Sequence, residues 1–134
     1  MNLPPLTVII PIRNGEEYIY YIVDQLKNIN YPAAIECIFI NDGSTDNTLG
    51  MLRQHAPSVN SKILNYSEWC GYNKTMIDAI EAASHDWITV ASVNDPINPD
   101  GYKLYMEQLL LCKNSETTLI NLPVKVYQEE TALS

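Results

Sequence analysis

The strongest constraint on this chain is the way buried-strand patterns alternate with helical ones. Leu6 to Ile12 (LTVIIPI) and Ile35 to Ile40 (IECIFI) are nearly continuous apolar runs rich in β-branched residues. Runs of this kind suit strands covered on both faces, as in parallel sheets. Between them, Ile19, Ile22, Val23, Leu26 and Ile29 recur at helical spacing. Asn14 is predicted to cap that helix, with Glu17 three residues on in a capping-box position. Tyr31-Pro32 should stop it.

The pattern repeats downstream. Ser44 or Thr45 is predicted to open a second helix with Leu49, Leu52 and Ala56 inside, and Lys62 to Leu64 a short third strand. Asn73 to Ala83 reads as a third helix facing inward through Met76, Ile77, Ile80 and Ala83, and Trp87 to Ala91 as a fourth strand. Asn98-Pro99-Asp100 should start a fourth helix, with Pro at its first position and Tyr102, Tyr105, Met106 and Leu109 inward. Beyond Lys113, Thr118 to Leu122 and Val124 to Tyr127 read as strands before a polar tail. The order predicts an α/β fold, a mostly parallel twisted sheet flanked by helices. At 134 residues the chain reads as one domain, residues 1–134, able to bury a core.

Composition removes several function classes. The net charge is −8 and the pI about 4.5. Nucleic acid and anionic membrane surfaces need Lys and Arg clusters, and none is present. No segment approaches the roughly 18 apolar residues that suggest a membrane span. The first residues lack the basic region and long apolar run of a signal peptide. Cys37, Cys70 and Cys112 are odd in number and widely spaced, so they read as reduced thiols of a cytoplasmic protein.

In open parallel sheets, ligands bind beyond the carboxyl ends of the strands. Three loops are expected there: Pro11 to Gly15, Asn41 to Asn47, and Ser92 to Asp100. The middle one crowds Asn41, Asp42, Gly43, Ser44, Thr45 and Asp46 together. Such residues serve turns and caps as readily as ligands. A calcium loop is excluded: Asp42, Ser44 and Asp46 have its opening spacing, but Asn47 and Arg53 stand where Gly and Glu are required.

The stretches TVIIPIRNGEEYI and YPAAIECIFINDGSTDNT, taken together, resemble the start of the family 2 glycosyltransferases, which have the GT-A fold, a Rossmann-like nucleotide-diphospho-sugar transferase fold. That family ends its first strand in Pro-x-x-Asn, here Pro11 to Asn14, and its second in Asp-Asp-Gly-Ser-x-Asp, here Asn41 to Asp46. The resemblance implies a nucleotide-sugar donor, usually a UDP-sugar. Its base and ribose would lie on Pro11, Arg13, Asn14, Asp42 and Ser44, with Asp42 accepting a hydrogen bond from the base.

Two departures stand out. The family's Asp-x-Asp, which carries magnesium or manganese, aligns with Ser92, Val93 and Asn94 when Pro99-Asp100 is the anchor. Both metal-facing carboxylates are replaced, which leaves Asp95, with Asn94, as the remaining metal candidates. The third helix has Met76 and Ile77 where Arg and Asn are common, so Lys74 is the cation left there either to approach a diphosphate or to stand as a solvated surface lysine, and Arg13 has the same two readings.

The resemblance covers about Leu6 to Cys112, the nucleotide-binding half of the family. Residues 114–134 are expected to add a strand and tail, with the acceptor half absent and no catalytic base identifiable. The alternative is a non-catalytic nucleotide-sugar-binding module. A receiver-type signalling domain is disfavoured, because receivers need acids where Pro11 to Asn14 stand. An uncovered sheet edge near Thr118 to Tyr127 suggests a homo-oligomer. His55 is expected to meet a helix end and His85 to sit in a turn. Trp69 and Tyr72 are expected to be partly buried in the core, with stacking on a ligand as the alternative.

Overall fold

The computed structural model describes residues 2–111, and the strands expected between Thr118 and Tyr127 lie outside them. Four strands form one sheet: β1 (Leu6–Ile12), β2 (Ile35–Asp42), β3 (Ser61–Tyr66) and β4 (Trp87–Val90). Their order is β3-β2-β1-β4 and every pairing is parallel. The helices are α1 (Ile19–Lys27), α2 (Thr48–His55), α3 (Tyr72–Ala82) and α4 (Gly101–Leu111). The predicted α/β class and the parallel sheet are therefore what the chain adopts.

Side chains alternate across the two central strands and build two apolar layers. Leu6, Val8, Ile10 and Ile12 of β1, with Cys37 and Phe39 of β2, pack with Ile19, Ile22, Val23 and Leu26 of α1 and Leu52 of α2. Tyr102 of α4 packs against the same layer. Ile9, Ile38 and Ile40 face the other way, onto Ala79 of α3. Central strands covered on both faces have no wet face, which is why their sequences show no polar alternation.

Several boundaries differ from the sequence reading. β2 runs on to Asp42, paired with Tyr66, and β3 is twice as long as expected. Asn14 does not cap a helix. It adopts φ 51°, and a short 3-10 turn, Glu16–Tyr18, precedes α1. α2 starts from Asn47 rather than from Ser44 or Thr45, because those two residues are drawn into contacts with the first loop. α4 starts at Gly101, after a turn in which Asn98 Oδ1 accepts from the Asp100 N–H at 2.9 Å.

α3 also turns a different face inward. Thr75 and Ala79 are buried, whereas Ile77 and Ile80 are exposed. Small side chains one turn apart let the helix lie close to the sheet, and Met76, Ala82 and Ala83 flank that contact.

Candidate functional site

Because all four strands are parallel, their carboxyl ends share one edge, and four loops meet there rather than three. The fourth, between Tyr66 and Tyr72, joins because β3 extends to Tyr66.

The first two loops are bound together. Asn14 donates its backbone N–H to Ser44 Oγ at 2.9 Å, and its Oδ1 accepts from the Thr45 N–H at 2.7 Å. The positive φ of Asn14 aims its amide at the second loop, and Asn tolerates that conformation better than most residues. Gly15 donates to Thr48 Oγ1 at 3.0 Å and Glu16 to Asp46 Oδ2 at 3.2 Å, while Glu16 Oε2 accepts from the Asn47 N–H at 3.1 Å. Burial raises the Asp46 pKa, but hydrogen bonds from Thr48 and Glu16 outweigh that and leave it below the usual carboxylate value. Turn chemistry thus accounts for Ser44 to Thr48.

Asp42 is employed differently. It is 8% exposed and faces the α3 side of the sheet. Its Oδ1 accepts from the Cys70 N–H at 2.7 Å and its Oδ2 from the Gly71 N–H at 3.0 Å. Gly43, next in sequence, has φ +64°, and a Cβ there would sit 2.3 Å from the Trp69 nitrogen. Only glycine lets the second and fourth loops cross this closely. Beside it, Asn41 donates from Nδ2 to Asn65 Oδ1 at 2.8 Å, and its own Oδ1 is buried without a partner among the described residues.

The remaining candidates are distributed around this edge. Pro11 sits inside β1, where Ile9 accepts from the Ala91 N–H. Pro11 therefore turns its missing donor to the same side, past the end of β4, where no ladder partner is lost. The Arg13 guanidinium carbon lies 5.7 Å from the Trp69 ring centroid. Lys74 turns along its own helix to Asp78, at 2.9 and 2.8 Å from the two carboxylate oxygens, and Asp78 raises its pKa. Trp69 and Tyr72 correct the expectation of partial burial: they are 64% and 59% exposed. A third strand ending at Leu64 leaves both residues away from the strand ends, whereas the extension of β3 to Tyr66 brings their loop to the carboxyl edge.

In the last loop, Ser92 Oγ donates to Asn94 Oδ1 at 2.6 Å, and the Asp95 N–H closes a turn onto the Ser92 carbonyl. Asp95 is exposed, and Asp100 Oδ1 is held by Asn30 Nδ2 at 2.9 Å. A depression of about 200 Å³ lies here, between Val93 to Pro96 and Tyr18, Tyr21 and Gln25 of the first helical segment. A larger one, about 450 Å³, lies at the opposite end of the strands between Ala56, Pro57, Val59, Asn60, Ser61 and Ile63, none of which is charged. Hard divalent cations want anionic oxygens. A hydroxyl and an amide bonded to each other beside one carboxylate do not fit such an ion, and no cluster of three or more His, Cys, Asp or Glu suited to a metal occurs among the described residues.

The sequence profile described as Glycosyl transferase family 2 matches residues 7–108. This chain belongs to that family. The putative glycosyltransferase EpsH of Bacillus subtilis (strain 168) is 30% identical over 120 residues, which are 90% of this chain and 33% of EpsH. This family 2 chain thus spans about a third of the length of the curated relatives it matches. Two solved structures share its GT-A fold with a TM-score of 0.71. One is the mannosyltransferase PcManGT of Pyrobaculum calidifontis in complex with GDP-Man and Mn2+, at 21% identity, covering 76% of this chain and 31% of that one. The other is S. aureus TarS in complex with UDP-GlcNAc, at 24% identity, covering 80% and 31%. Among the described residues, no helix is long and apolar enough to cross a membrane.

Proposed function

We propose that this chain is the donor-binding part of a glycosyltransferase that takes a UDP-sugar and passes the sugar to an acceptor. The observation that carries this reading is the Asp42 carboxylate. It stands at the strand edge on two backbone N–H groups, which fix its plane. A carboxylate has about four lone-pair sites, so two remain to accept from a base. Uracil presents an imide N–H of the kind such an acceptor reads, and a site built around a polar group rejects bases that leave it unpaired.

The other loops supply the rim. Asn14 and Ser44 lock the first two loops into one surface for the ribose, with Pro11 beneath them. Arg13 brings positive charge to the mouth, and Lys74 reaches a diphosphate by exchanging Asp78 for it. The complexes of TarS with UDP-GlcNAc and of PcManGT with GDP-Man support the donor class.

Titration calorimetry with UDP tests the reading. Asp42→Ala should weaken binding roughly ten- to a hundredfold, about 1.5–3 kcal/mol for a charged hydrogen bond. Equal affinity in wild type and variant would refute it. A second reading, binding without transfer, draws support from the Ser92–Asn94 pair that replaces metal-facing carboxylates. Manganese-dependent hydrolysis of a UDP-sugar by this chain would exclude that second reading.

A further inference from the structure

An exposed tryptophan at a ligand edge requires an explanation, because exposing a large indole forfeits its burial energy. Trp69 is 64% exposed although its backbone is fixed on both sides: Gly43 packs against its nitrogen and the next residue, Cys70, donates to Asp42. The ring leans toward Gly71, where an added Cβ would lie 3.7 Å from Cζ2. The indole therefore stands beside the Cys70–Gly71 peptide that holds the Asp42 carboxylate. Arg13 reaches across from the first loop and places its guanidinium 5.7 Å from the ring centroid. A cation at that distance is attracted by the ring and limits its rotamers.

We infer that Trp69 is the stacking wall for the base of the bound nucleotide, and that Arg13 positions its indole. The inference rests on the nucleotide reading of the site and deepens it by naming the residue that contacts the plane of the base. A base that donates to Asp42 lies close to the indole, whose free face is π-rich and sequence-tolerant. Hydrogen bonding at Asp42 then selects the base, and Trp69 supplies contact area at its plane. Arg13 draws the indole toward the first loop, and the same guanidinium stays near the mouth for the phosphates.

The chain has two tryptophans, which makes a direct optical test available. Trp87 opens β4 beside Leu6, at the other end of the strands. In Trp87→Phe protein the emission reports Trp69 alone. UDP and uridine should each produce a saturable change in that emission, and pyrophosphate should produce none. Trp69→Ala should weaken UDP binding about tenfold in calorimetry, as expected for loss of one stacked base. Trp69→Phe should keep most of the affinity, which a purely structural role of the backbone segment does not predict. If UDP binds in an Asp42-dependent manner yet the emission stays flat and Trp69→Ala binds as wild type, the stacking role is wrong and the nucleotide reading survives. A response to pyrophosphate equal to that of UDP would also overturn the stacking role, because it would report phosphate at Arg13. If calorimetry detects no UDP binding at all, both fall together.

Discussion

Glu36 and Asp42 lie on the same strand and the same face of the sheet, at its two ends, and both are nearly buried. Their surroundings differ sharply. Glu36 accepts from Thr7 Oγ1 at 3.1 Å, from the Ser84 N–H at 2.9 Å and from Ser84 Oγ at 2.7 Å, and pairs with Lys62 Nζ at 3.1 Å. The bonds tie β1, β2, β3 and the turn after α3 into one knot with its acceptors filled. Among the described residues, Asp42 has two backbone donors and no cation. A buried carboxylate with every acceptor occupied supports the fold, while one with acceptors left over at a strand's carboxyl end is available to a ligand. On the proposed reading, the two ends of one strand divide support from recognition.

That division can be tested, beginning with the largest effect. Glu36→Ala should lower unfolding free energy by about 3 kcal/mol in urea titration, because the charged acceptor of Thr7 Oγ1 and of the Ser84 N–H and Oγ is lost. UDP affinity should not change. Burial raises the Glu36 pKa, but the bonds from Ser84, Lys62 and Thr7 outweigh it and bring the pKa down to about 2 from an ordinary 4.5. A lowered folded pKa means stability that is present above the unfolded value and lost as acid titrates the folded group. Wild type should therefore lose stability between about pH 4.5 and 2. Glu36→Gln should show a flatter profile across that window.

The seam between the first two loops comes next. Asn14→Ala removes the acceptor of the Thr45 N–H and places alanine at a positive φ, so a loss of about 1–2 kcal/mol is expected in the same titration. An unchanged midpoint would show that the seam contributes little to the folded state. The last loop should give the smallest change. Ser92→Asp with Asn94→Asp should weaken UDP binding without metal, because like charge is added to an anionic chain. In millimolar manganese it should improve binding about tenfold, which is about 1.4 kcal/mol. A strong manganese dependence already present in wild type would show that Asp95 suffices as ligand.

Much of this architecture is legible in the amino-acid order, for identifiable reasons. β1 and β2 announce themselves because both faces of each are covered, leaving long apolar runs. β3 was expected to end at Leu64 because Asn65 and Tyr66 interrupt its apolar run, yet backbone pairing with Asn41 and Asp42 carries it on. Periodicity weighs large apolar residues and points to Ile77 and Ile80 as the inward face of α3, whereas close packing on the sheet selects Thr75 and Ala79. The motif residues Asn14, Asp42 and Ser44 were legible, and their partners were not. Nothing in the order of residues says that Asp42 holds the backbone of Cys70 and Gly71, or that Arg13 meets Trp69. Those contacts join residues distant in sequence and exist only once the parallel strands have aligned their ends.

The account's central claim is that recognition sits at Asp42 and support at Glu36. The most direct test is the UDP-induced rise in Tm, measured side by side for wild type, Glu36→Gln and Asp42→Asn. A ligand that binds only the native state stabilises it by RT ln(1 + [L]/Kd) and so raises Tm. The account predicts equal rises for wild type and Glu36→Gln, despite the lower baseline of the latter, and a rise that largely disappears in Asp42→Asn. A full rise in Asp42→Asn, or none in wild type, would contradict it.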